Sequence, residues 1–324
     1  FLGAYINQSN AQNLNCLTLA KYINKDKFDI YTLAIRHGNF GEIKIPEVKI
    51  FTCNFPVKFT QSIGFVWGIW NCDVAYLPRG NSFKYQKFLL KLFKKKSFKT
   101  VENIIDQEAL STALSIFKNI DEVLECYNFV DRAYSITNYM KEYNFSRHKL
   151  KTRDVILPLA TDTVLFNSVC AEKVVLKSLI YLGNDMKRKK VEDFIFLAFQ
   201  FPNLKFNIIG KDSNGLVEKN VKKYNVTNVI YHGSLSHEKM LEIIEDCDLH
   251  ILPSRSEGFP RGIIELSAAG IPCITYPGYG ADEWINDFEN GVVCEDKEAI
   301  KKSIIKFKED NNVLLKNSKG AIKL

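Results

Sequence analysis

The sequence predicts an α/β protein with two Rossmann-like domains, each built on a parallel sheet flanked by helices. Strand-like and helix-like segments alternate along the whole chain, as they do where crossover helices join parallel strands. The length of 324 residues suits two domains of about 150 residues each. We expect a first domain over residues 1–166, which ends with the stretch Leu157–Phe166, and a second domain over residues 167–324.

Short apolar runs and helical periodicity give the order of the elements. Strands of the first domain are predicted near residues 1–6, 28–35, 48–53, 72–77, 98–102, 133–136 and 154–158. Its helices are predicted near residues 11–23, 84–96 and 109–126. Strands of the second domain are predicted near residues 178–183, 204–210, 228–231, 248–253, 272–275 and 292–294. Its helices are predicted near residues 189–200, 215–224, 237–246, 261–269 and 297–308.

The composition favours a soluble globular protein. Apolar residues make up 46% and charged residues 25% of the chain, which are usual proportions for full-sized cores. No run of about 18 apolar residues occurs, so the sequence predicts no membrane span, and we expect no signal peptide. The eight cysteines form no C-x-x-C pair. They are typical of buried side chains in a reducing cytosol, which predicts a cytoplasmic protein without a structural metal.

The segment over residues 247–269 is the most informative part of the chain. Residues 247–253 form an apolar run that ends in a proline, residues 254–260 form a polar turn, and a helical apolar face begins at Arg261. Pro260 suits the first turn of that helix, where no backbone donor is needed. A strand, a tight loop and a helix in this order leave free N–H groups at the carboxyl edge of a sheet, where anionic ligands bind.

Two glutamates accompany this loop. Glu257 lies in the loop and Glu265 in the helix, roughly 10 Å apart at about 1.5 Å per helical residue. Carboxylates accept hydrogen bonds from sugar hydroxyls, so the pair suits two hydroxyl-bearing ends of one ligand with a phosphate group between them. The alternative is an ordinary helix whose glutamates are only solvated.

Residues 251–273 resemble the Glu-x7-Glu segment of the family 4 (group 1) retaining glycosyltransferases, which have the GT-B fold. Pro158, Asp162 and Phe166 also match the signature that joins the two domains in that family. The resemblance implies two Rossmann-like domains whose parallel sheets face each other across a cleft. It also implies that the first domain binds the acceptor and the second binds a nucleoside-diphosphate sugar.

A second polar loop, residues 183–190, resembles the family's Gly-Arg-x-x-x-x-Lys-Gly segment, whose arginine and lysine hold the donor diphosphate. Gly183 and Lys189 match, whereas Asn184 stands in place of the arginine. Arg188 or Lys187 would then supply the missing charge, since a neutral amide makes weaker contacts with phosphate than a guanidinium does. The alternative is a solvated helix start whose lysines oppose the helix dipole.

The resemblance assigns roles to individual residues. It implies catalytic roles for Glu257, Lys189 and Asn184. It implies donor contacts for Gly183, Arg188, Gly210, Ser234, Leu235, Gly258, Phe259, Pro260 and Glu265. Among these, Glu265 would bind the ribose, and Gly210, Ser234 and Leu235 would line the nucleobase pocket. His232 and His250 are predicted to be structural.

The first domain departs from the family pattern. The family's first loop usually carries two glycines, and many members have a histidine after the fourth or fifth strand; this chain has neither. The polar side chains in the corresponding places are predicted to bind acceptor or donor. They are Asn7, Gln8, Ser9, Asn10, Glu102 and Asn103, with Asp106 as a further substitute for the histidine.

A basic helix near residues 84–96 has two interpretations. Its basic face is formed by Lys84, Lys87, Lys91, Lys94 and Lys95, and its apolar face is predicted opposite, at Tyr85, Phe88, Leu89, Leu92 and Phe93. The helix can pack on its sheet with solvated lysines, or it can dock on an anionic membrane surface. Nucleic acid is not expected, since aromatic residues are not interleaved with the lysines. The net charge of +7 fits anionic partners without identifying one.

Together these features predict a retaining, metal-independent, hexosyltransferase-like enzyme (EC 2.4) without a cofactor. Its donor would be a UDP- or GDP-sugar and its acceptor a glycan or a lipid-linked glycan of surface polysaccharide biosynthesis. We expect it in the cytoplasm, with peripheral association at the inner membrane face. Rival interpretations are an epimerase or a phosphorylase of the same fold, or a catalytically weak or inactive nucleotide-sugar-binding partner subunit. The missing glycines, histidine and arginine favour the subunit.

Overall fold

The computed structural model describes residues 1–8, 10–36, 43–80, 82–112 and 114–324. The chain divides into two compact units, Phe1–Thr161 and Asp162–Leu324. Each unit contains a six-stranded sheet, and all strand pairings described are parallel. The predicted α/β fold class is therefore confirmed. The limit predicted after residue 166 falls inside a short helix, Val164–Asn167, which belongs to the second unit.

The first unit has the strand order β3-β2-β1-β4-β5-β6. Its strands are β1 Leu2–Tyr5, β2 Ile30–Ile35, β3 Val48–Cys53, β4 Val74–Tyr76, β5 Lys96–Val101 and β6 Arg132–Ser135. Its helices are α1 Ala11–Tyr22, α2 Val57–Asn71, α3 Phe83–Phe93, α4 Gln107–Ser111, α5 Ile120–Asn128 and α6 Asn138–His148. The order reverses between β1 and β4, which makes their carboxyl ends the switch point of this sheet.

Three expectations for the first unit were wrong. Residues 154–158 do not form a strand: the backbone bonds from Arg153 to Ala133 and from Leu157 to Ser135 are four residues apart and leave no continuous ladder. The helix expected over residues 109–126 is two helices, α4 and α5. Helices α2 and α6 were not predicted. The glycines of α2, Gly64 and Gly68, are poor helix formers, but they let the helix lie close to the sheet.

The second unit has the strand order β12-β11-β10-β7-β8-β9. Its strands are β7 Ser178–Leu182, β8 Lys205–Ile209, β9 Val229–Gly233, β10 Leu249–Leu252, β11 Cys273–Thr275 and β12 Gly291–Val293. Its helices are α7 Val164–Asn167, α8 Val191–Gln200, α9 Leu216–Tyr224, α10 His237–Glu245, α11 Arg261–Ala268, α12 Lys297–Glu309 and α13 Asn311–Ile322. Every predicted strand of this unit is present, whereas α13 was not predicted.

The core of the second unit fixes the two strands that carry the candidate site. Leu179 and Tyr181 of β7 pack with Leu249 and Ile251 of β10 in one buried apolar cluster. The strands pair in parallel, with Leu249 beside Leu179 and His250 beside Ile180. The strand order reverses between them, so the loops that follow β7 and β10 emerge together at the carboxyl edge of the sheet.

Candidate functional site

The loops after β7 and β10 meet through an ion cluster. Lys189 donates from Nζ to Oε1 of Glu257 at 2.7 Å, and Arg188 donates from Nη1 to the same oxygen at 3.1 Å. Glu257 is 8% exposed. Arg188 also donates from Nε to Oδ2 of Asp185 at 3.0 Å and from Nη1 to the carbonyl of Ser256. The two cations thus lie against the turn that precedes α11.

The ionised state of this cluster follows from its charges. Burial alone would raise the pKa of Glu257, but Lys189 and Arg188 outweigh it and hold that pKa below its usual value. Burial would likewise lower the pKa of Arg188, but Glu257 and Asp185 outweigh it and raise that pKa. The cluster is therefore a buried carboxylate between two cations, an arrangement in which an anionic ligand can compete for the cations.

Two glycines make room for the cluster. A Cβ at Gly183 would lie 2.6 Å from Cδ of Lys189, so the lysine side chain crosses directly over this residue. Gly210 has a φ of 141°, and a Cβ there would overlap the carbonyl oxygen of Gly183. Gly210 therefore needs glycine, whereas at Gly183 the missing side chain leaves the space that Lys189 fills.

Asn184 stands at the position that the resemblance gives to an arginine, and its side chain bonds to a neighbouring loop. Its Oδ1 accepts from the backbone N–H of Lys211 at 2.7 Å, so it connects the loop after β7 to the loop after β8. Arg188 is the second cation that contacts Glu257, whereas Lys187 is exposed. Of the two substitutes suggested by the sequence, the structure brings Arg188 to the cluster.

Helix α11 places a second ion pair on its first turns. Glu265 is 8% exposed, and its Oε1 lies 3.6 Å from Nε of Arg261. Burial lowers the pKa of Arg261, and Glu265 opposes this shift. Pro260 is the N-cap residue rather than part of the first turn. Arg261 was not among the predicted site residues, although a basic residue at the start of a helix was a visible signal.

The remaining predicted donor residues lie around the same edge of the sheet. Gly210 donates to the carbonyl of Gly233 at 2.9 Å, and its own carbonyl accepts from the hydroxyl of Tyr231 at 3.0 Å. Ser234, just after β9, is exposed, and Leu235 packs on a buried apolar cluster. In the loop before α11, the half-buried Gly258 precedes Phe259, whose ring centroid lies 6.1 Å from that of Trp284.

Two histidines of the second unit have different surroundings. Nε2 of His232 lies 3.0 Å from Oδ1 of Asn207. Burial lowers the pKa of His232. His250 is fully buried in β10, and neither ring nitrogen has a hydrogen-bond partner among the described residues. Burial, with a smaller effect of Lys189, lowers the pKa of His250 to about 3. His250 is therefore a neutral imidazole beneath the ion cluster.

The polar loop after β1 in the first unit is held by its own side chains. Asn7 donates from Nδ2 to the carbonyl of Ile35 at 2.7 Å and accepts from the N–H of Ile35 at 3.0 Å. Gln8 accepts from Asn13 at 3.0 Å, and Asn10 caps α1. Ser9 lies outside the described residues. The side-chain amides that were predicted to bind a ligand therefore stabilise the loop itself. Their role in ligand binding stays a prediction.

A second polar cluster lies at the switch point of the first sheet. Glu102, 2% exposed after β5, accepts from Thr100 at 2.8 Å and from Gln12 of α1 at 3.2 Å. Asn103 accepts from Arg79, which lies in the loop after β4. Arg79 was not singled out in the sequence, because no recognised motif surrounds it. Asp106 caps α4.

Two kinds of feature are absent from the described residues. No described helix is both long enough and apolar enough to cross a membrane. No group of three or more histidine, cysteine, aspartate or glutamate side chains in the described part of the chain is arranged to hold a metal ion.

Comparison with known sequences finds a family model that matches most of the second unit. Residues 172–323 match the model of "Glycosyl transferases group 1". The chain is 25% identical to the uncharacterized glycosyltransferase MJ1069 of Methanocaldococcus jannaschii, over 100% of this chain and 93% of that protein. It is 22% identical to protein CapJ of Staphylococcus aureus, over 98% and 78% of the two. It is 34% identical to alpha-galactosylglucosyldiacylglycerol synthase of Streptococcus pneumoniae, over 28% and 26%.

Comparison with solved structures extends the likeness to both units. Sucrose-phosphate synthase of Thermosynechococcus elongatus superposes with a TM-score of 0.77 and 15% identity, over 99% of this chain and 89% of that one. Anabaena HepE in complex with UDP superposes with a TM-score of 0.74 and 16% identity, over 99% and 92%. These neighbours have the GT-B fold. Residues 172–323 are therefore similar in sequence to the group 1 glycosyl transferases, and the whole chain has the fold of the two solved neighbours.

Proposed function

We propose that the chain is a retaining glycosyltransferase whose donor is a UDP- or GDP-sugar. The observation that carries this proposal is the ion cluster of Lys189, Arg188 and Glu257 at the switch point of the second sheet. Ligands of open α/β sheets bind at this place. Further support comes from HepE, which has the same fold and whose structures were determined with UDP and with UDP-glucose.

In this proposal the bound donor replaces contacts that the ion cluster makes within itself. The diphosphate takes the contacts that Lys189 and Arg188 make with Glu257, and Glu257 turns to the hydroxyls of the donor sugar. Glu265 accepts hydrogen bonds from the ribose hydroxyls. The bond between the anomeric carbon and the diphosphate oxygen breaks, and the bond to the acceptor oxygen forms with retention. The acceptor proton passes to the departing diphosphate, whose developing charge the two cations stabilise.

Arg188 carries the charge that Asn184 lacks. The guanidinium is fixed by Asp185, Ser256 and Glu257. A planar guanidinium held in this way can contact a phosphate through two N–H groups, which a lysine cannot match. We propose that Asn184 orders the loop of Lys211 while Arg188 contacts the diphosphate. The protein's own cations would then take the place of a metal ion.

We propose a glycan or a lipid-linked glycan as the acceptor, in surface polysaccharide biosynthesis at the inner membrane face. The relative from Streptococcus pneumoniae, which this chain matches over about a quarter of each protein, is named for a glycosylated diacylglycerol product. A relative from Klebsiella pneumoniae is described as encoded in a cps region. Glu102 and Asn103 are our candidates for acceptor contacts in the first unit.

A second candidate function is a nucleotide-sugar-binding partner subunit without turnover. The neutral Asn184 and the structural use of Asn7, Gln8 and Asn10 favour it. Incubation with a panel of UDP- and GDP-sugars, followed by mass spectrometry, distinguishes the two. Slow hydrolysis or transfer of one donor supports the enzyme. Tight binding without turnover, even with lipid extracts as acceptor, supports the subunit, and binding of no nucleotide sugar contradicts both.

A further inference from the structure

Helix α2 lies close to the sheet, and two glycines form part of its buried face. Gly64 and Gly68 lie on its buried face with Phe65 and Ile69. A Cβ at Gly64 would lie 2.9 Å from the side chain of Leu33, and one at Gly68 would overlap the ring of Phe1. A helix on a globular surface ordinarily turns polar residues to solvent, whereas three of the five exposed residues of α2, namely Phe59, Ile63 and Trp70, are bulky and apolar.

The outer side of α2 is an apolar stripe formed by Phe55, Phe59, Ile63, Val66 and Trp70. The four helical members recur at the spacing of one helix face. The exposed fractions are 75% for Phe55, 65% for Phe59, 43% for Ile63 and 64% for Trp70. Contiguous exposed apolar residues of this size mark a surface that another molecule covers.

Helix α3 extends the apolar stripe, which corrects the expectation from its sequence. Phe88 and Leu92 were predicted on the apolar face, which one of the two interpretations packs on the sheet, yet they are 59% and 57% exposed. The helix buries Phe83, Gln86, Leu89 and Leu90 instead. It packs against α2, where Tyr85 donates to the carbonyl of Ser62 at 3.3 Å and Phe93 meets Trp70 edge to face.

The segment that contains both helices is basic, although only Lys58 of α2 and Lys84, Lys87 and Lys91 of α3 lie within the helices themselves. Residues 55–96 contain eight basic residues and one acidic residue, Asp73, so this segment carries the whole formal net charge of +7. Lys84 and Lys87 pair with Glu122 and Glu125 of α5 at 3.7 and 3.2 Å. Lys58 is exposed beside Phe59, and Lys91 is exposed between Phe88 and Leu92.

We propose that α2 and α3 form a membrane-insertion face for an anionic lipid bilayer. The apolar stripe, with Phe88 and Leu92, enters the boundary between headgroups and acyl chains, and Lys58 and Lys91 contact the lipid phosphates. Aromatic and aliphatic side chains flanked by lysines are the composition of interfacial helices, and anionic leaflets attract such basic segments. This inference rests on the proposed lipid-linked acceptor. It adds the part of the protein that would contact the membrane in which that acceptor lies.

The test is flotation of the full chain with vesicles, without donor or acceptor, so its outcome is independent of the proposed activity. Vesicles of phosphatidylcholine alone are compared with equal mixtures of phosphatidylcholine and phosphatidylglycerol. We expect binding to the mixed vesicles only. Phe59→Gln/Ile63→Gln and Lys58→Glu/Lys91→Glu should each weaken that binding by at least about tenfold, since they remove insertion and charge attraction respectively.

Matched controls lie in the second unit. Phe199→Gln/Ile305→Gln alters two residues that are 52% and 37% exposed, and Lys302→Glu/Lys316→Glu changes the charge by the same amount. Both should bind as the unaltered chain does, and circular dichroism checks that every variant is folded. Brominated acyl chains should quench the emission of the unaltered chain but not of Trp70→Tyr.

Three results would overturn the inference. The first is a chain that binds neither kind of vesicle. The second is binding that Lys58→Glu/Lys91→Glu removes and Phe59→Gln/Ile63→Gln leaves unchanged, since it would be surface adsorption without insertion. The third is an oligomer in sedimentation without lipid that Phe59→Gln/Ile63→Gln dissociates, because the apolar stripe would then be covered by a second copy of the chain.

Discussion

Glu257 holds Lys189 and Arg188 through a single oxygen, Oε1, at 2.7 and 3.1 Å. In the unliganded site this carboxylate competes with any anion for both cations. Replacement by a neutral group of the same size should separate two tasks that one carboxylate performs: restraining the cations, and accepting hydrogen bonds from the donor sugar.

The first prediction concerns Glu257→Gln. We expect the affinity for UDP or GDP to stay equal or to rise, because Lys189 and Arg188 no longer pair with a carboxylate. Sugar transfer should fall by at least about a hundredfold, as expected for loss of a preorganised polar group. Calorimetry gives the affinity and mass spectrometry the turnover, with the exposed Glu298→Gln as control. A parallel loss of affinity and turnover would assign Glu257 to the diphosphate instead.

The second prediction concerns His250 and pH. Its pKa falls from 6.5 to about 3 on folding because it is buried, so below about pH 6.5 the unfolded chain binds a proton that the folded chain excludes. Stability from this residue is complete above pH 6.5 and is lost as pH falls. At pH 5.5 the loss should be about 1.4 kcal/mol.

Urea unfolding at pH 7.5 and pH 5.5 measures this effect. His250→Leu cannot titrate and should lose about 1.4 kcal/mol less of its unfolding free energy than the unaltered chain does over the same interval. Equal losses in the two proteins would mean that His250 is protonated in the folded chain.

At the residue scale, sequence motifs predicted part of the candidate site. The spacing around Glu257 and Lys189 predicted that two loops would converge on a phosphate, and the two side chains are in contact. Asn184 and Arg188 could not be distinguished by counting along the loop, because a loop's direction depends on the backbone, here on Asp185 with a φ of 57°. Arg79 was missed because its partner, Asn103, is 24 residues away in the sequence, and Arg261 was missed although its i,i+4 partner Glu265 was visible.

At the element scale, the close approach of the loops after β7 and β8 is the feature most open to test. Gly210 combines a φ of 141° with overlap on the carbonyl of Gly183, whereas Gly215 has a φ of 64° and open space around it. A side chain at either position would strain the backbone, but only at Gly210 would it also overlap other atoms. A comparison of the two positions therefore distinguishes the cost of strain from the cost of overlap.

The third prediction compares Gly210→Ala with Gly215→Ala. Gly215→Ala should cost about 1–2 kcal/mol of unfolding free energy, the usual cost of a left-handed alanine. Gly210→Ala should cost more and should also weaken nucleotide binding, because the loop that carries Lys189 must move. Thermal unfolding and calorimetry measure both effects. A smaller cost at Gly210 than at Gly215 would show that the loops are not in contact.

Elements of the second unit were easier to predict than those of the first. Strands β7, β8, β10, β11 and β12 are mostly buried, β9 is a partly exposed edge strand, and clear turn signals separate the strands in the sequence. Helix α2 was missed because its glycines and outward apolar residues contradict the usual amphipathic pattern. The face of α3 was wrong for a related reason: Phe88 and Leu92 have the spacing of a core face, but Gln86 and Leu90 are the residues that the fold buries.

At the scale of the whole molecule, alternation of strands and helices predicted two parallel sheets, and both are present. The alternation of strands and helices does not predict which part of each unit binds a ligand. The binding site lies where particular loops meet at a switch point. The strand order decides which loops meet there, and it depends on packing rather than on local sequence.

The fourth prediction concerns metal ions. If Lys189 and Arg188 carry the charge of the leaving diphosphate, transfer measured in EDTA should equal transfer measured with added Mg²⁺ or Mn²⁺. The comparison uses the unaltered chain and the donor found in the nucleotide-sugar panel. Activity that the chelator abolishes and Mg²⁺ restores would show that a metal ion shares this task.

The most direct measurement is calorimetric titration of UDP and of GDP into the unaltered chain, Lys189→Ala and Lys187→Ala. The unaltered chain should bind one of the two nucleotides. Lys189→Ala should bind it at least about tenfold more weakly, since a charge-assisted contact contributes about 1.5–3 kcal/mol. Lys187→Ala, altered at an exposed lysine of the same loop, should bind as the unaltered chain does. Unchanged affinity in Lys189→Ala, or equal losses in both variants, would contradict a diphosphate site at the ion cluster.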